Sequence, residues 1–332
     1  TYLVAIYSSD YEYFSDTYIS RDGLDTMKLE YYVLHDKLES AKKDFSTHVK
    51  MLEFFSQTFG EYPFIKEKYG IAEFLWAFGA MEHQTITGVS SNLIGGKKFF
   101  EDVLIHELAH QWWGNAVGPK SWKEIWLNEG FSSYSEALYY EAESGKKALQ
   151  STMTAKYSNS FSGTLSDPGD FLFTRTVYDK GAWVLHMLRW EVGDTSFFKI
   201  LKSYYQTFKY SNSSTAEFKN ICEKIYDKKL DKFFDQWIKG EGEIEIEYES
   251  TTAMSEDKYK TSIKLEQVQE EYEEYHFPLE VKFVFEDSTE KSFRYDISSG
   301  DTLIEIISEK FPDKIEFDPD SWLLASINKR EE

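Results

Sequence analysis

His106-Glu107-Leu108-Ala109-His110 is the stretch on which the reading of this chain turns, and Trp126-Leu127-Asn128-Glu129-Gly130-Phe131 completes it. On a helix, residues four apart stand one above the other, so both imidazoles face one point. Zinc takes His nitrogens at ~2.0–2.1 Å, and such a pair meets that requirement without distorting the helix. Glu107 is rotated by ~100° from His106, which places it to reach a metal-bound water rather than the metal. A chance H-E-x-x-H is expected in about 1–2% of chains of this length and composition. Val103, Leu104, Leu108, Ala109, Trp112 and Trp113 flank the motif with apolar side chains. The helix is therefore expected to be buried, where two imidazoles and a carboxylate are costly unless something coordinates them.

Two neutral imidazoles call for a third, anionic ligand. Glu129 offers it, with 18 residues between it and His110. That interval fits a helix end, a turn at Gly118-Pro119 and an antiparallel helix leading back to the pair. Two His and one Glu leave a fourth position for water, the catalytic form of a zinc site. Glu136, seven residues on along the same face, is a candidate partner of a ligand histidine, or else a solvated or capping glutamate.

Composition frames this motif. The 332 residues suggest about two domains, and 41% hydrophobic with 29% charged residues is ordinary for a globular protein. The net charge of −21 repels phosphate backbones, which argues against nucleic acid as a partner and favours cations such as metal ions or protonated amines. The single cysteine, Cys222, excludes an intrachain disulfide and a cysteine-based zinc or iron–sulfur site, and suits a reducing or an oxidising compartment equally. It reads as a small buried hydrophobe. No apolar run is long enough to span a membrane. The chain starts at Thr1 without a signal peptide, so it reads as a soluble piece of something longer.

The period of the apolar residues changes once, near Gly240. Leu34, Leu38, Ala41, Phe45, Val49, Leu52, Phe55 and Phe59 recur every three or four residues, predicting one long amphipathic helix that ends at Gly60. Further helices are predicted over 101–117, 122–144, 178–192 and 215–239, with a strand-rich stretch between Lys66 and Gly96. After Gly242 the period becomes two: Ile244, Ile246 and Tyr248, then Phe277, Leu279, Val281, Phe283 and Phe285. A small β-sandwich is predicted there. The acidic run Glu270–Glu274 reads as a solvated loop or strand edge.

With these residues in view, the sequence resembles the zinc aminopeptidases that include aminopeptidase N and leukotriene A hydrolase. The resemblance rests on H-E-L-A-H-Q-W-W-G-N followed by N-E-G-F-S-S-Y, and on three further segments. Phe59-Gly60-Glu61-Tyr62-Pro63-Phe64 resembles a stretch upstream of the family's site. Gly79-Ala80-Met81-Glu82-His83 resembles its G-x-M-E-N exopeptidase motif, and Val177-Tyr178-Asp179-Lys180-Gly181 its V-Y-E-K-G segment. The likeness runs from about residue 8 to 240.

The resemblance implies an α+β fold: a mainly helical, thermolysin-like zinc peptidase domain with a small β-sheet over 1–242, then a β-sandwich over 243–332. Residues 1–7 would be the last strand of a preceding β-domain that this chain lacks and would contact. It implies one zinc ion per chain on His106, His110 and Glu129. Glu107 would be general base and proton shuttle. Tyr178 would donate to the oxyanion. Glu82 would bind the free α-amine of a peptide, beside Gly79, Ala80 and Met81, whose backbone would align the peptide as an extra strand. The implied activity is a metallo-aminopeptidase acting on peptides with a free N-terminus. A thermolysin-type endopeptidase, an epoxide hydrolase like leukotriene A hydrolase and a non-catalytic zinc-containing peptide-binding module are the other readings. His83 replaces the commonest Asn, so any role of that Asn does not transfer. Arg175 is a candidate for a substrate carboxylate or for a structural ion pair. His35, His48, His186 and His276 are read as packing or surface residues.

Overall fold

The computed structural model describes residues 2–330. The chain opens with a hairpin that the sequence reading did not contain, β1 (Glu12–Ile19) and β2 (Thr26–Val33), turned through Gly23 at φ +73°. Inward-facing Met27, Leu29, Tyr31 and Val33 alternate with more exposed neighbours, the period of a strand covered on one face. Antiparallel β1–β2 continues into parallel β3 (Tyr69–Phe74), and the sheet ends at the short β4 (Ala80–Met81), in the order β1-β2-β3-β5-β4, where β5 is Thr87–Ser90. β4 is thus an edge. Residues 2–7 pair in no ladder, so the strand expected there is not formed; the Leu3 carbonyl accepts one bond, from the Gln84 N–H at 3.0 Å. Thr1 lies outside the described residues.

The apolar run from Leu34 to Phe59 is not one helix. After a 3₁₀ turn it forms α1 (Leu38–Asp44) and, beyond a break at 45–47, α2 (His48–Phe59). The break coincides with a tertiary demand. Buried Asp44 turns its carboxylate onto the backbone N–H groups of Gly95, Gly96 and Lys98, at 2.8–2.9 Å. Those three charge-assisted bonds fix the loop that leads into α3 (Glu101–Ala109).

Helix α3 is shorter than the predicted 101–117. Beyond His110 the steps lengthen: the N–H groups of Asn115, Ala116 and Val117 reach the carbonyls of His110, Gln111 and Trp112 at 3.0–3.2 Å. Gly114, at φ +130°, turns the chain into β6 (Val117–Pro119). Helix α4 (Trp126–Ser144) follows a 3₁₀ turn at Trp122–Glu124 and is buried without interruption from Trp126 to Tyr139. It is the central helix of the molecule, packed on α3, on α5 (Lys146–Ala155) and on α6 (Gly181–Val192). A wide turn, Thr176–Lys180, with i→i+5 geometry, runs directly into α6. Then come α7 (Asp194–Phe208), β7 (Ser211–Ser213) beside β6, α8 (Thr215–Tyr226) and α9 (Asp231–Phe234). Ser214 and Glu217 form a reciprocal capping box at the start of α8. The predicted 215–239 helix is broken at Asp227, which takes a left-handed conformation.

The change of period near Gly240 marks a real change of architecture. β8 (Ile244–Ser255), β9 (Lys258–Gln267), β10 (Phe277–Phe285), β11 (Glu290–Ile297), β12 (Asp301–Ser308), β13 (Pro312–Phe317) and β14 (Ala325–Lys329) form two sheets, ordered β12-β9-β8-β14 and β11-β10-β13. Phe277, Leu279, Val281, Phe283 and Phe285 all point inward, as their alternation predicts. The sheets are tied to α6. Trp190 Nε1 donates to the Pro278 carbonyl at 2.9 Å, and Trp322 lies between His186 and Trp190, with ring centroids 4.5 and 5.3 Å away. His186 is therefore a packing residue. Among the described residues no helix is long and apolar enough to cross a membrane.

Candidate active site

Helices α3 and α4 bring the predicted residues to one point. His106 Nε2 and His110 Nε2 are 3.0 Å apart, and Glu129 Oε2 stands 3.3 Å from each. Two ligands at ~2.0–2.1 Å from a tetrahedral ion lie about 3.3–3.4 Å from one another, so the triangle has the dimensions of a zinc site. The outward nitrogens fix the tautomers. His106 Nδ1 donates to Glu136 Oε1 at 2.8 Å, and His110 Nδ1 to the Trp113 carbonyl at 2.9 Å. Once the Nε2 protons are released, both Nε2 lone pairs and a carboxylate oxygen converge, an arrangement of acceptors that suits a metal cation. Among the described residues this is the one group of three or more His, Cys, Asp or Glu side chains so placed.

The surrounding carboxylates give the site a negative potential that favours positive charge, either protons on the two imidazoles or a metal ion that displaces them. Burial pulls both imidazoles down, but the Glu129 carboxylate and, for His106, that of Glu136 outweigh it, so both pKa values lie above the usual histidine range. Burial raises Glu129, and the two imidazoles more than reverse this, holding it ionised. Burial and the Glu82 carboxylate push Glu107 upward. One Glu107 oxygen, Oε2, is buried without a protein partner.

Tyr178 comes from the wide turn before α6. Its ring stacks on His106 with centroids 5.7 Å apart. Burial and the carboxylates of Glu129, Glu82 and Glu107 keep its phenol protonated, hence a donor. The turn is held from behind by buried Lys180, whose Nζ donates to the Gly240 carbonyl at 2.9 Å. Close approach of α4 and α6 depends on two glycines. A Cβ on Gly130 would lie 2.9 Å from the Gly181 Cα and C, and one on Gly181 would lie 2.9 Å from the Gly130 Cα.

These groups share a cleft of about 1000 Å³ with Gly79, Ala80, Met81 and Glu82. Gly79 sits at φ +98°, which favours glycine, and leads into β4. Glu82 is buried at 8% exposure, and its carbonyl accepts from Asn115 Nδ2 at 2.8 Å. His83 takes the Tyr7 hydroxyl at 2.6 Å on Nδ1. Arg175 forms the structural ion pair, Nε to Asp179 Oδ2 at 2.7 Å. Sequence reasoning missed Tyr2, Trp76, Asp102, Trp122, Phe173 and Lys156, which also line the cleft. They come from separate elements and carry no local motif. The exception is Asp102, which stands one helical turn before His106 and could have been found by spacing.

Residues 43–237 match the Peptidase family M1 domain, and the chain belongs to that family. It is 31% identical over 217 residues to a "Probable aminopeptidase 2" of Sulfurisphaera tokodaii, covering 58% of this chain and 28% of that protein. It is 30% identical over 235 residues to "Aminopeptidase B" of Mus musculus, covering 62% and 36%. The matches thus span about a third of the length of these curated relatives. An M1 zinc metallopeptidase structure from Deinococcus radiodurans superposes at a TM-score of 0.59 with 27% identity, covering 69% of this chain and 52% of that one. Legionella pneumophila aminopeptidase A shares the fold over 97% of this chain and 38% of its own, at a TM-score of 0.83 and 15% identity.

Proposed function

We propose that this chain is the catalytic part of a zinc-dependent aminopeptidase, with a peptidase unit over 1–242 and a β-sandwich over 243–332. The observation that carries the reading is one cleft holding the His106–His110–Glu129 triangle, the open edge of β4 and the buried Glu82 carboxylate.

Zinc held by His106, His110 and Glu129 would polarise a carbonyl and acidify a water, which supplies hydrolysis at neutral pH. The remaining work falls to the chain. β4 offers unpaired backbone groups on which an extended peptide adds as a strand. Glu82 pairs with the protonated N-terminus, so a blocked peptide leaves a buried carboxylate without its partner. Glu107 accepts a proton from the attacking water and delivers it to the leaving amine nitrogen. The Tyr178 phenol donates to the carbonyl oxygen as negative charge develops on it. Val4 and Ile6, 74% and 93% exposed, are where we place contact with a preceding β-domain.

The test compares one peptide with a free and with an acetylated N-terminus, followed by mass, with Glu107→Gln as control. Release of the first residue from the free peptide alone is the expected result. Internal cuts in both peptides would replace the reading with an endopeptidase, and zinc binding without cleavage would replace it with a binding module.

A further inference from the structure

We propose that Lys156 is a positioning residue of the metal site: its ammonium, seated on one oxygen of Glu136, fixes the other oxygen on His106 and thereby strengthens metal binding. The inference rests on the reading of His106, His110 and Glu129 as zinc ligands and adds a residue from outside their helices.

Lys156 caps the C-terminal end of α5, where the chain leaves regular structure, and its Nζ lies 2.7 Å from Glu136 Oε2. The opposite oxygen, Oε1, takes the His106 Nδ1 proton at 2.8 Å. The two side chains of this pair are only 14% and 10% exposed. An ion pair so far withdrawn from water adds little stability over an apolar pair of the same volume, so packing alone gives no reason for a lysine there. It does give orientation. A carboxylate bound through one oxygen can rotate about its last torsion, which is broad and roughly two-fold. Held through both oxygens, it keeps one lone pair on Nδ1 and so keeps the His106 ring turned with Nε2 towards His110 and Glu129.

Asp102, on α3, is the other acid beside Lys156, and the two form no ion pair. Lys156 is thus directed at Glu136 and not at Asp102. Arg175, the other Lys or Arg among the described residues lining this cleft, is engaged by Asp179 and does not substitute for it.

The experiment measures zinc dissociation constants of the full chain by competition with a chromophoric chelator. Glu136→Gln is expected to weaken zinc about 10–100-fold, the usual range for a group bonded to a ligand histidine. Lys156→Met is expected to weaken it about 5–20-fold, acting at one remove. Lys156→Arg, which keeps charge and donors, should restore affinity to within about threefold. In the double variant Lys156→Met adds less than about twofold to Glu136→Gln, because the two act through one contact. Should Lys156→Met fold poorly, Lys156→Gln serves the same comparison. Wild-type affinity in the Met or Gln variant, or full additivity in the double variant, overturns the proposal. His110→Ala separates the two layers: zinc affinity indifferent to that change would refute the ligand assignment itself, and Lys156 with it.

Discussion

Replacing Gly130 by alanine tests whether backbone contact between α4 and α6 builds the site. The added Cβ would stand 2.9 Å from the Gly181 Cα and C. Carbon atoms rest at ~3.5–4.0 Å, so the helices must part by about 0.6–1 Å. Such overpacking costs typically ~1–3 kcal/mol, and alanine returns up to ~1 kcal/mol in helix propensity. A net loss of about 1–2 kcal/mol follows, or about 1–3 °C in Tm for a chain of this size. The catalytic effect is expected to be larger than the thermal one. Glu129 precedes Gly130 on one side of the contact, and Tyr178 lies three residues before Gly181 on the other. A misplacement of about 1 Å between such groups can reduce turnover by ~10²-fold. Thermal unfolding of the zinc-loaded chain and turnover of an aminoacyl p-nitroanilide read the two effects separately. Unchanged Tm together with unchanged kcat would refute the reasoning, because the helices would then have room that the contact denies them.

Asp44→Ala strips three backbone N–H groups of their acceptor. At least ~3 kcal/mol of stability should disappear in a urea titration, with the Gly95–Phe100 loop exchanging amide hydrogen faster. Tyr178→Phe is expected to lower kcat by ~10²–10³ while leaving the zinc dissociation constant within about twofold, a split that a misfolded site would not give. Burial, partly offset for each by one backbone carbonyl, depresses His48 to about 4 and His186 to about 3, from 6.5. A folded pKa lowered in this way leaves stability whole above pH 6.5 and removes it as pH falls, by up to ~1.4 kcal/mol per pH unit for each histidine. The urea midpoint of His48→Gln should accordingly fall less steeply than that of wild type between pH 6.5 and 4; identical slopes would count against the buried neutral imidazole.

How far the sequence could be read depended on whether each feature was local. The His106–His110 pair is two residues four apart at the end of one helix, and its meaning is carried by spacing alone. The sandwich strand Phe277–Phe285 alternates cleanly because one face is buried and the other is not. The run from Leu34 to Phe59 misled, since its period continues across 45–47 while Asp44 is engaged by a loop fifty residues later. α3 ends at Ala109 for a comparable reason: beyond it the backbone widens towards Gly114 so that the Trp113 carbonyl can meet His110 Nδ1. The β1–β2 hairpin went unread because exposed Tyr13 and Ile19 blur its alternation. Lys156 was beyond reach, as its contact with Glu136 exists only once α5 has folded back along α4.

The wide turn at Thr176–Lys180 amounts to one residue more than a regular helix would use, and such turns recur at functional sites. Each residue of a helix advances the face by ~100°. Deleting one residue in this turn would let α6 extend backwards as ordinary helix with every backbone bond regular, while swinging Tyr178 away from His106 and drawing Lys180 off the Gly240 carbonyl. For insertions and deletions, then, this segment is a place where tidier geometry and retained activity pull in opposite directions. Lineages free to lose the chemistry could straighten the helix here, whereas those that keep it must carry the extra residue.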